Sequence, residues 1–224
     1  MAKAKQFIAG IYNYCDRWCE RCPYTARCRV YGDTERAARR HRAKGEDRDG
    51  AAELAKRRAR QDLDAHPMIR GARQYMKLCG KLLAELGRIF NQARDDAESR
   101  AAFMDVASEA DQLARVREAL DILSWDHALI CAKVRRALRG KRKADGEEDP
   151  DLHDAAMSDA AGSAFVARRS LIRSQAALTE IHDWDAEHRD QVIDLLVTSE
   201  RIQRALEGLI PEAATFSWPP SDEE

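Results

Sequence analysis

Apolar residues recur every three or four positions over four long stretches of the chain, and each stretch predicts an amphipathic helix. The first, at about 67–95, carries Ile69, Ala72, Met76, Cys79, Leu83, Leu86 and Phe90, with Pro67 suited to a first helical turn. The second, at about 104–140, carries Leu113, Val116, Leu120, Leu123, His127, Ile130, Val134 and Leu138. Gly140 and the run Lys141, Arg142, Lys143 read as its C-terminus, by capping and by the helix dipole. Residues 144–153, with Gly146 and Pro150, have loop chemistry. The third helix, at about 154–183, carries Met157, Ala161, Phe165, Leu171, Ile172, Leu178 and Ile181. Gly162 falls inside it, where a glycine costs about 1 kcal/mol unless it permits close packing. The fourth, at about 186–210, carries Val192, Leu195, Leu196, Ile202, Leu206 and Leu209 and is stopped by Pro211. There is no strand pattern and no tandem repeat. The expectation is an all-α fold, an antiparallel four-helix bundle.

Ahead of the helical stripes the pattern changes. Residues 1–32 are rich in cysteine and aromatics, 33–66 form a basic polar connector, 67–211 hold the bundle, and 212–224 read as an extended tail. The composition agrees: 38 of the 224 residues are alanine, 34% are charged, and glycine and proline are scarce. No run of 18 apolar residues occurs, so no membrane span is expected. The first thirty residues lack the apolar core of a secretory signal. A cytoplasmic location with reduced thiols is therefore expected, rather than a disulfide framework.

The net charge of −1 conceals an uneven distribution. Residues 1–60 hold 16 basic and 8 acidic side chains, 61–150 hold 16 of each, and 151–224 hold 6 basic and 15 acidic. Two basic clusters stand out, Arg36 to Arg60 and Lys133 to Lys143. The first suits recruitment of an acidic protein partner. A nucleic-acid partner is less favoured, because such binders usually carry a basic domain overall.

Cys15, Cys19, Cys22 and Cys28 are spaced C-x3-C-x2-C-x5-C within 14 residues. Four thiols this close supply one complete tetrahedral shell, and as thiolates they bind a metal ion or cluster. Zinc sites usually pair two C-x2-C knuckles across a longer arm, and this segment has one. The tight spacing, with Pro23 directly after Cys22, is closer to iron–sulfur ligation. The cofactor expected is thus a [4Fe–4S] cluster, with zinc as the alternative. Arg17, Arg21, Arg27 and Arg29 would offset its negative charge, and Tyr14, Trp18 and Tyr24 would shield the sulfurs. Cys79 and Cys131 read as small core residues.

The segments IYNYCDRWCERCPYTARC, SWDHALICAKVRRAL and AGSAFVARRSL resemble a family of uncharacterised bacterial helical proteins. The likeness spans most of the chain, and the YCDRWCERCP-type motif is its specific part. The family has no established activity, so the resemblance implies no catalytic residues. The order C-x3-C-x2-C is also similar to the radical SAM signature. Against that, Arg21 stands where an aromatic residue is usual, a fourth cysteine follows, and no alternation of strands and helices appears downstream.

A second site is conceivable inside the bundle. Glu109, His127, His182 and His188 lie on or beside the helical stripes, and di-iron proteins are built from such residues. The Glu-x-x-His spacing of those proteins is absent. No phosphate loop, dinucleotide fingerprint, zinc-protease or nucleophile-elbow motif occurs either. Three functional readings follow. The first is a four-cysteine metal protein in redox sensing, electron transfer or structural stapling. The others are a zinc-stapled module binding nucleic acid or protein, and an oxidase-like enzyme with metal inside the bundle.

Overall fold

The computed structural model describes Cys15 and residues 22–28, 63–101 and 107–216. Among these residues there are four long helices and no strands: α1 (Pro67–Ala101), α2 (Ala107–Asp145), α3 (Pro150–Trp184) and α4 (Arg189–Leu209). Two 3-10 turns, Thr25–Arg27 and Pro211–Ala214, are also described, and residues 63 and 64 are helical. No described helix is long and apolar enough to cross a membrane.

Four boundaries differ from the sequence expectation, the first being the end of α1, which continues to Ala101 rather than stopping near 95. Helix α2 runs through Gly140 to Asp145, so the glycine is not a cap. Its role is contact: a Cβ at Gly140 would stand 3.0 to 3.1 Å from Cα, Cβ and N of Ala160. Only a residue without a side chain lets α2 and α3 approach that closely. Pro150 is a helix start rather than a loop residue, at the first position of α3. The Asp149 side chain caps it, accepting from the N–H groups of Asp151 (3.0 Å) and Leu152 (3.3 Å). The connection between α2 and α3 is correspondingly short. After Pro211 the chain turns rather than extending at once: Ala213 is buried, and Phe216 packs on Phe165 at 5.6 Å. The remainder of the expected tail lies outside the described residues, as does the connector up to residue 62.

Each helix buries one face. Ile69, Leu86, Leu123, Ile130, Leu178 and Leu195 are inaccessible or nearly so, and full burial of such a side chain is worth about 1.5–3 kcal/mol. The N-terminal half of α3 buries small residues instead, among them Ala156, Ala160, Gly162 and Ala164. Helix α2 packs on α1 and α3, and α4 packs on α1 and α3.

Polar contacts fix the pairings. Arg136 reaches Asp159, Asp126 receives Arg173, and Arg115 meets Glu180 across the α2–α3 seam. Gln175 donates to Ser199 (3.1 Å) and Gln203 (3.3 Å), and Arg168 to Glu207 (2.8 Å), across α3–α4.

Candidate functional site

Of the four clustered cysteines, Cys15, Cys22 and Cys28 are described and half-buried; Cys19 lies outside the described residues. So do Tyr14, Arg17, Trp18, Arg21, Arg29 and the basic 36–60 segment. Between Cys22 and Cys28 the backbone folds back through a 3-10 turn. The Thr25 hydroxyl donates to the Cys22 carbonyl at 2.8 Å, and the Thr25 N–H does so at 3.4 Å. The Arg27 N–H donates to Tyr24, and the Cys28 N–H to Thr25. Threonine at the head of the turn is thus a local reason for the chain to reverse there.

The four residues proposed from the helical stripes have separate engagements. Glu109 is half-buried in the first turn of α2. His127 is half-buried, with Nδ1 2.9 Å from the Leu123 carbonyl of its own helix. His182 Nδ1 lies 3.1 Å from Asp183. His188, buried, precedes α4 and stands between two carboxylates, with Nδ1 2.6 Å from Asp185 and Nε2 3.2 Å from Glu85 of α1. Among the described residues no group of three or more His, Cys, Asp or Glu is arranged to hold a metal ion. The His188 contacts instead tie α1 to the turn between α3 and α4.

Sequence reasoning missed the polar centre of the core. Asp126 is fully buried and receives a two-pronged contact from Arg173, Nε at 2.8 Å and Nη2 at 2.6 Å. The Ser174 hydroxyl lies 3.5 Å from the same carboxylate. Tyr75 and Cys79 of α1 are buried beside them, and the Tyr75 hydroxyl has no hydrogen-bond partner of good geometry among the described residues. Burial, reinforced by the Asp126 charge, pushes the Cys79 thiol up to about 12. Burial also raises the Tyr75 phenol above its ordinary range. The signal was present in the sequence. In the first half of α2, Val116, Ala119, Leu123, Asp126 and Ile130 are buried in one phase, so the polar residue in step with the core there is Asp126, and its neighbour His127 sits at the edge.

Two cavities flank α2. One, of about 540 Å3, lies between α1 and the start of α2, with Phe90, Ala97 and Leu113 on its wall and Arg94, Glu98, Arg117 and Asp121 around them. The other, of about 360 Å3, lies near the end of α2 and is lined by Arg135, Arg136, Arg139, Lys143 and Asp159.

No protein-family model, curated protein or solved structure matches this chain.

Proposed function

We propose that this chain is a metal protein in which Cys15, Cys19, Cys22 and Cys28 jointly hold one inorganic centre, a [4Fe–4S] cluster, beside an antiparallel four-helix bundle. The observation that carries the reading is the spacing itself, four thiols within 14 residues of sequence. A segment this short buries too little apolar surface to hold itself together. Bound metal supplies folding free energy in such cases. The turn from Cys22 to Cys28 supports the reading, because its hydrogen bonds are local and bend the chain between two of the four ligands.

The bundle reading is supported by the order of the cross-helix pairs. Positions 136, 126 and 115 of α2 meet 159, 173 and 180 of α3, one number falling as the other rises. A cluster in this setting gains and loses one electron, which suits redox sensing or electron transfer; as a minimum it staples the segment. The basic 36–60 stretch then offers a surface for an acidic partner.

The visible spectrum of protein purified without air tests the choice of metal. A brown protein with broad absorbance near about 400 nm, and iron and sulfide in equal amounts, is expected. A colourless protein with one zinc per chain would replace the cluster with a zinc staple. Protein free of both metals would end the proposal.

A further inference from the structure

Arg135, Arg136, Arg139 and Lys143 recur at helical spacing and share one face of α2, which runs about 12 Å along the helix axis. With Asp159 of α3 they line the cavity of about 360 Å3. Its inner side is fixed by the contact of Gly140 with Ala160, where the two backbones meet.

The charges in this cleft do not balance. Arg136 is engaged by Asp159 at 2.7 Å, and Arg135 by Asp64. Arg139 and Lys143 are exposed and have no ion-pair partner among the described residues. The buried Nε of Arg135 has no acceptor among the described residues. Among the described residues four cations thus face two carboxylates, one of which, Asp64, is shared with Arg73 of α1 at 2.7 Å, leaving a surplus of at least two charges. Lys141 with Asp145 and Arg204 with Glu200 show the alternative, exposed charges paired along their own helix.

We propose that this cleft binds the phosphate group of a small ligand, a phosphate monoester or diphosphate. The surplus matches the charge of a phosphate better than that of a single carboxylate. Guanidinium forks also suit its tetrahedral array of oxygens, with Lys143 acting as a point charge. A small ligand is favoured over nucleic acid by the overall charge of −1 and by Asp159 in the cleft wall. The site does not depend on the cysteines.

Calorimetric titration with inorganic pyrophosphate at low ionic strength tests it on the full chain. Saturable binding of one equivalent is expected, weakening as salt rises. The double change Arg139→Ala with Lys143→Ala weakens it at least about tenfold, with helix content by circular dichroism unchanged because both side chains are exposed. Asp159→Asn removes the opposing charge and tightens binding several-fold, an effect that a purely structural role for Asp159 does not produce. Arg201→Ala, an exposed change on α4, leaves affinity as it was. Absence of saturable binding overturns the proposal, as does equal affinity in the double variant. So does a single-stranded oligonucleotide that binds more tightly through these same residues.

Discussion

The cysteines of the helices and those near the start of the chain occupy different physical settings. Cys79 is fully buried on α1, and Cys131 is half-buried on α2, each a single thiol on a helix face. Burial pushes both thiols upward, Cys79 to about 12, which favours their protonated forms at neutral pH. Cys22 and Cys28, by contrast, lie on either side of one short turn and are only half-buried. A thiol packed alone fills space, whereas several thiols in close spacing are what the proposed centre would need as ligands. The helices hold themselves by apolar burial and matched charges.

The sharpest test of a self-held helical body is its buried ion pair. Asp126 is inaccessible, while the Arg173 side chain keeps 32% of its exposure. Removing the two partners is therefore not equivalent. Arg173→Met strands a carboxylate in the core and should cost about 3–5 kcal/mol in urea unfolding. Asp126→Leu leaves an arginine that can turn to water and should cost less, about 1–3 kcal/mol. Equal losses would show that the pair is not buried from one side only.

Alkaline pH separates the two classes of thiol next. The Cys79 thiol titrates near 9 when free and near 12 in the fold. Above pH 9 the unfolded chain releases that proton and the native one keeps it. Its contribution to stability is therefore intact below pH 9 and is lost as pH rises toward 12. The expected loss is about 3 kcal/mol by pH 11, with Tyr75 acting in the same direction. Cys79→Ser should make the decline shallower. An unchanged slope in that variant would remove Cys79 from the account.

The smallest effects come from two glycines in helices. Gly140→Ala forces a Cβ onto the backbone of Ala160 and should cost about 1–3 kcal/mol. Nothing lies within 4 Å of a Cβ at Gly87, so Gly87→Ala should stabilise by about 0.5–1 kcal/mol. Thermal unfolding of the two variants reads the difference directly.

The four helices were legible because periodic apolar residues leave few other ways to bury a face. Their ends were less so, since local signals have two meanings. Gly140 followed by three basic residues reads as a terminus, but α3 approaches so closely there that the glycine serves packing inside a continuing helix. Pro150 after Asp149 reads as a loop or as a capped start, and the capping hydrogen bonds decide for the start. The polar core was missed by one position. A stripe drawn through His127 looks as periodic as one through Asp126, and the matching Arg173 lies 47 residues away. The cationic face of α2 was visible as a charge run; which of its members are neutralised depends on Asp64 and Asp159, supplied by other elements.

Metal content per chain in the intact protein and in its Cys22→Ser variant, both purified without air, measures the central claim most directly. One cluster in the first and none in the second, with helix content preserved, is the predicted result. Equal metal in the two, or collapse of the helices on loss of one thiol, would contradict it.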